Sequence, residues 1–261
     1  MKIPKGIKMK LPRTVLALIL IPCLAHAASP KRHRYYDWTG LYAGGNLGYG
    51  LVYGGVGFAP LPDAATFANL APVTLSTNPT DGLSGGVQIG FNAQSGGWIS
   101  GLEADFQKGP AGGSTQAPII QNDGTPFPGS GFLQAGEKTN WFATLRLRSG
   151  FSPIYRLWVY GTGGVAYGSV NYSATTDFRT TGNNYYPVSY DKTKLGWTAG
   201  VGAEWVIDWK WSVKLEDLYY DLGDENAVAN ASPSPEPPFQ VGYHWKTQAN
   251  IVRVGVNYKF F

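Results

Sequence analysis

Nine charged residues stand at alternate positions of segments whose other positions are mostly apolar: Glu103 and Asp105, Arg146 and Arg148, Glu204, Lys214 and Glu216, Arg253 and Lys259. Successive side chains of a strand point to opposite faces, so each segment puts its charges on one face and its oily residues on the other. Acids and bases gathered on one sheet face have two uses. Withdrawn from water they must pair, which makes a polar core; kept wet, they line a narrow or gated path for water and ions. The segments carrying Glu103/Asp105 and Arg146/Arg148 follow one another, which predicts that these arginines pair with these acids across adjacent strands.

Other chemistry has little to work with. The single cysteine, Cys23, lies in the leader described below, so a disulfide or a thiol nucleophile is not expected in the mature chain. Beyond the leader the histidines are His33 and His244. His244 with an acid such as Asp191 is the one candidate general base, and no nucleophile motif accompanies it. Gly161, Gly163 and Ala166 match G-x-G-x-x-A, but no helical segment follows, so a dinucleotide site is not expected. Without a Cys/His cluster no metal is expected either. The reading is no catalytic residue, no cofactor and no metal.

Residues 1–27 read as a secretory signal peptide. Lys2, Lys5, Lys8, Lys10 and Arg13 form a basic start, Val15 to Ala25 is mostly apolar, and Ala25-His26-Ala27 offers a small-x-small cleavage site. Met9 begins a complete leader by itself. Cleavage removes five of the 21 lysines and arginines and none of the 17 acids, so the formal charge goes from +4 to −1. A mature chain so balanced gives no reason to expect nucleic acid as a partner. Residues 28–36, with Lys31, Arg32, His33 and Arg34, read as a solvated periplasmic arm, and residues 37–261 as the folded domain.

Period-two alternation recurs along that domain. Leu41, Ala43, Leu47 and Tyr49 oppose Tyr42 and Asn46; Leu83, Val87, Ile89 and Phe91 oppose Ser84, Gln88 and Asn92. Trp141, Ala143, Leu145 and Leu147 face away from Thr144 and the two arginines, and Leu195, Trp197, Val201 and Trp205 alternate with glycines, Thr198 and Glu204. In the glycine-rich stretch from Leu157 to Val170, Val159, Val165 and Tyr167 are read as outward. The last stretch places Val252, Val254, Val256, Tyr258 and Phe260 opposite Arg253 and Lys259. No segment sustains a helical period.

Connections alternate between short, at 94–97, 152–156 and 208–210, and long, at about 52–81, 109–138, 171–193 and 223–243. An up-and-down barrel then carries every long loop on one rim and every short turn on the other. All nine tryptophans fall near a rim, as two interfacial aromatic girdles would require. The expected fold is all-β: an eight-stranded antiparallel up-and-down transmembrane barrel with short periplasmic turns and long extracellular loops.

The stretches WTGLYAGGNLGYG (38–50), GLEADF (101–106), TLRLRSGF (144–151), GTGGVAYG (161–168), WSVKLEDLYYDLG (211–223) and RVGVNYKF (253–260) resemble the small surface-antigen and porin-like barrels of Gram-negative outer membranes, especially those of alphaproteobacteria. The resemblance implies a cell outer-membrane location, a structural or antigenic surface role with weak porin activity, and a C-terminal aromatic signal read by the outer-membrane assembly machinery. Tyr258, Phe260 and Phe261 would carry that signal. Membrane lipid and lipopolysaccharide are the expected surroundings. The long loops, including the stiff Ser232–Pro238 segment, are expected to offer any site for a host surface or small ligand, the alternative reading being an adhesin or receptor. Two departures from the pattern are Asp217 on the oily register and the extra residue Phe261.

Overall fold

The computed structural model describes residues 36–53, 55–61, 69–76, 80–110, 112–127, 131–178, 185–232 and 240–261. The leader, arm residues 28–35 and positions 233–238 of the Pro-rich segment lie outside the described residues. The strands are β1 (Gly40–Val52), β2 (Gly55–Pro60), β3 (Val73–Ser76), β4 (Thr80–Ser95), β5 (Trp98–Lys108), β6 (Gly113–Pro118), β7 (Phe132–Ile154), β8 (Leu157–Asp177), β9 (Tyr185–Val206), β10 (Trp211–Asn230) and β11 (Gln240–Lys259). Eight of them close an antiparallel ring in the order β1-β4-β5-β7-β8-β9-β10-β11, and β1 pairs with β11 from Tyr42↔Lys259 to Val52↔Ala249. Closure satisfies the backbone groups that an open edge would leave bare in lipid. Short turns join the strands at one end; Gly96, with φ of 62°, supplies the left-handed residue that one of them needs.

Across the membrane zone the outer face is oily. Leu47, Val87, Ile89, Leu102, Leu145, Leu147, Val165, Leu195, Val201, Leu215, Val252 and Val254 are all exposed on it. Aromatics bound this zone: Trp98, Phe151, Trp205 and Trp211 toward the short turns, and Phe106, Trp141, Tyr167, Trp197 and Tyr219 toward the other end. Asp217 lies on this outer face one step below Tyr219 and accepts a hydrogen bond from Asn250 at 2.7 Å, so it sits just under the outer girdle. There a charge costs far less than at midplane.

The girdle expectation needs correcting at three tryptophans. Trp38, Trp158 and Trp245 are buried within the fold. Trp158 and Trp245 occupy lumen positions of β8 and β11, and Trp38 packs against Trp158 at 5.6 Å where the chain passes under the short-turn mouth. The arm also changes character at its end. Tyr36 is buried, donating its hydroxyl to Trp209 O at 2.6 Å and its N–H to Tyr155 O at 3.1 Å.

The long connections are corrected too. β8 and β9 run as a ladder up to Asp177↔Tyr185, and β10 and β11 up to Asn230↔Gln240, far into stretches expected to be loop. β2, β3 and β6 form in the other two long connections. The wall therefore continues well beyond the outer girdle. Its inner face there is apolar: Val52, Val56, Phe58, Leu133, Ala135, Val170, Tyr172, Ala174, Val241, Tyr243, Trp245 and Ala249 form one buried cluster. Outside the membrane the wall faces water on its exterior, so its oily residues turn inward as in any soluble protein.

Candidate functional site: the charged lumen

Eight of the nine charges meet inside the membrane zone. Register explains much of it, since Glu103 faces Arg146 across β5–β7, Glu216 faces Arg253 across β10–β11, and Lys214 faces Glu204 across β10–β9. Arg146 binds Glu103 at 2.5 Å, Asp105 at 2.7 Å and Glu216 at 3.0 Å. Arg148 reaches Glu103 at 3.1 Å and Glu204 at 2.5 Å, and its guanidinium lies over the Tyr160 and Trp158 rings at 4.2 and 4.4 Å. Arg253 takes Glu216 at 2.5 Å and Asp105 at 3.1 Å. Lys214 crosses the lumen to both oxygens of Glu103 at 2.8 Å. Four acids and four bases thus neutralise one another, and all eight side chains are buried.

The arginine pairing expected from sequence is present, with Arg148 choosing Glu204 over Asp105. The ninth charge is a correction. Lys259 does not join the network: it lies three inward steps below Arg253, donates to Asp37 O at 2.6 Å and caps the Tyr36 ring at 5.2 Å. The chain crossing under the barrel mouth holds it there. Sequence reasoning also missed the neutral partners. Tyr42 donates to Glu103 at 2.7 Å, Asn257 and Ser212 donate to Glu204 at 2.8 and 2.5 Å, and Tyr160 donates to Glu216 at 3.2 Å. Each stands on the same inward register as the charges, which was the signal available.

The lumen is filled on both sides of the network. Below it, Tyr36, Trp38, Ile99, Trp158, Tyr160 and Val206 form a second buried cluster. A cavity of about 20 Å³ lined by residues including Trp38, Tyr42, Glu204 and Asn257 remains, room for one water. Above it lies the apolar cluster, with the buried acids Glu137, Asp177 and Glu225 in the same part of the wall. Glu137, four residues above Trp141 and so outside the membrane zone, is buried and neither of its oxygens is hydrogen-bonded. Burial pushes its carboxyl up to about 7, and the charge of Lys194 offsets only part of that. Glu225, at similar height, differs: burial alone would raise it, but Lys192 and Lys194, at 2.8 and 3.2 Å, hold it below the usual range.

The remaining candidates are scattered. His244 meets Asn226 at 2.8 Å on the outside of the wall, whereas Asp191 accepts from Asn140 at 3.0 Å on another strand, so the two do not form a base pair of groups. Gly161, Gly163 and Ala166 lie inside β8. No group of three metal-ligating side chains exists among the described residues. At the terminus Tyr258 packs edge-on to Trp211 at 5.0 Å and Phe260 at 5.4 Å, the Phe260 N–H donates to Leu41 O at 2.9 Å, and Phe261 stands exposed.

A family model described as the outer membrane protein beta-barrel domain matches residues 14–260. The chain belongs to this outer-membrane β-barrel family. It is 38% identical over 227 residues to the 31 kDa outer-membrane immunogenic protein of Brucella melitensis, covering 86% of this chain and 85% of that one. The 22 kDa outer membrane protein of Rhizobium leguminosarum is 26% identical over 71% of this chain and 70% of its own. Among solved structures, the outer membrane protein OprG from Pseudomonas aeruginosa aligns with TM-score 0.49 and 13% identity, over 87% of this chain and 98% of that one. The barrel is thus an outer-membrane surface protein, with its short turns on the periplasmic side and its tall wall outside the cell.

Proposed function

We propose that this outer-membrane barrel is a sealed, non-enzymatic envelope protein whose work is done by its extracellular wall. One observation carries the reading: the side chains of Glu103, Arg146, Lys214 and Arg253 have no solvent-accessible area. A lumen that conducted ions would leave water-sized space beside such groups. The immunogenic character that gives the Brucella relative its name supports a structural, surface-antigen role. Refolded protein in a planar bilayer should be electrically silent, and discrete conductance steps would overturn the reading. Glu103→Ala should destabilise the barrel or open it to current; no change in either would remove the network from the account.

A second reading, a receptor or adhesin, is favoured by β3. Among the described residues this strand pairs only with β2, and its other edge lies beyond the membrane. Such an edge can accept an added strand from a partner. Deleting residues 55–76 should abolish binding to host surfaces if that reading holds.

A further inference from the structure

The barrel wall has a notch just above the outer girdle. The β4–β5 ladder ends at Gly85↔Lys108 and the β5–β7 ladder at Lys108↔Trp141, while β6 joins β7 only from Gly113↔Glu137 upward. In between, among the described residues, the end of β4 pairs only with β1, and the Thr139–Asn140 stretch of β7, paired with β8 at Thr139↔Val170, has on its other side one backbone hydrogen bond, from the Gly109 N–H at 3.2 Å to Asn140 O. Gly109 packs so tightly on the Thr139 backbone that a Cβ there would collide. The resulting groove of about 480 Å³ is lined by Leu83, Lys108, Gly109, Lys138, Thr139 and Asn140.

Three features give the groove a chemical preference. Lys108 and Lys138 are exposed on it, and neither has an ion pair or side-chain hydrogen bond among the described residues. The nearby acids are already engaged, Asp81 by the Tyr49 hydroxyl and Asp191 by Asn140. Directly below, Phe106 stacks on Trp141 at 5.6 Å, an apolar platform at the depth where acyl chains meet headgroups. Backbone polar groups at an interrupted ladder want hydrogen-bond partners, and a sugar headgroup supplies them.

We propose that this notch is a binding site for the phosphorylated disaccharide head of outer-leaflet lipopolysaccharide. Lys108 and Lys138 take the phosphate, Asn140 and the open backbone meet the sugar, and the acyl chains lie on Phe106 and Trp141. Paired cations above an apolar shelf match an anionic lipid, and the groove volume suits a sugar phosphate better than a bare ion. The proposal rests on the barrel standing in the outer membrane, which heat-modifiable migration on a gel tests separately.

The experiment uses the refolded full mature barrel in phosphatidylcholine nanodiscs carrying lipid A, with dephosphorylated lipid A and inorganic phosphate as comparison probes. Lipid A should be retained through detergent extraction and should slow hydrogen exchange at residues 81–84 and 138–140. Lys108→Ala or Lys138→Ala should each weaken retention roughly fivefold and the double variant about thirtyfold, with heat-modifiability intact. Lys246→Ala, on the wall at β11, should leave retention unchanged. Equal losses for Lys246→Ala, equal retention of the dephosphorylated lipid, full competition by inorganic phosphate, or wild-type retention by the double variant would each overturn the proposal.

Discussion

The lumen is built twice, by opposite rules. Inside the membrane zone its inward positions hold Glu103, Arg146, Arg148, Lys214, Glu216 and Arg253, held by charge-assisted hydrogen bonds; above the outer girdle the same inward register holds Val170, Tyr172, Val241, Tyr243 and Trp245, held by apolar burial. β11 passes from one rule to the other without a break in its pairing to β1 or β10 across Ile251 and Val252. The exterior decides. Where lipid lies outside, polar groups have only the lumen to occupy; where water lies outside, apolar groups do.

The comparison implies distinct failure modes. Arg146→Ala should cost the most, about 5 kcal/mol, because it leaves four buried acids with three cations, Arg253 alone then reaching Glu103, Asp105 and Glu216 together. The folded band on an unboiled gel should weaken and the urea midpoint fall, with exchange protection lost throughout the barrel. Trp245→Ala should cost about 4 kcal/mol by opening a cavity in the upper cluster, and its effect should stay local. Exchange should quicken in the extracellular wall while the membrane zone keeps its heat-modifiable shift; loss of both together would mean the halves are one cooperative unit.

Glu137 breaks the upper rule, and unlike Glu225 it has no lysine paired with it among the described residues. With its carboxyl raised from 4.5 to about 7, the folded state holds a proton that the unfolded state releases. Stability of the upper wall therefore falls as pH climbs from about 4.5 through 7, and the deficit is complete above that. Glu137→Gln should gain roughly 3 kcal/mol at pH 8 and nothing at pH 4, read from denaturant midpoints at the two pH values. An equal gain at both pH values would show packing, not ionisation, at work. The smallest effect is expected at Lys259→Ala, below about 1 kcal/mol, since this half-exposed lysine contacts the chain under the mouth and no lumen acid. A loss as large as that of Arg146→Ala would restore it to the network.

Most of the membrane zone was legible because alternation there has one phase, oily outward and charged inward, as Leu145 and Arg146 show. The upper wall resembles loop in sequence because the phase inverts. Along β11, Val241, Tyr243, Trp245, Ala249 and Ile251 are apolar at odd positions, whereas Val252, Val254, Val256 and Tyr258 are apolar at even ones. A period-two pattern that changes phase at one point is a strand crossing an interface, and a reader expecting a single phase stops the strand there. Trp158 and Trp38 misled for a related reason: proximity to a rim does not say which side of the wall an indole takes. The Arg146 pairs followed from adjacency, but the reach of Lys214 to Glu103 across the lumen has no signature in sequence.

The seam between β1 and β11 joins residues about 200 positions apart, and at its foot Gly40, with φ of 141°, lies so near the Phe261 carbonyl that any side chain would collide. Every other ladder of the ring joins strands that follow one another through a turn or connection, so each can zip as it forms. The seam cannot: its loop-closure entropy comes due at once, after all other strands are laid down. It is therefore the natural last step of assembly and its slowest. A bulkier residue at position 40 should leave the finished wall nearly intact while stalling the chain as an unclosed sheet.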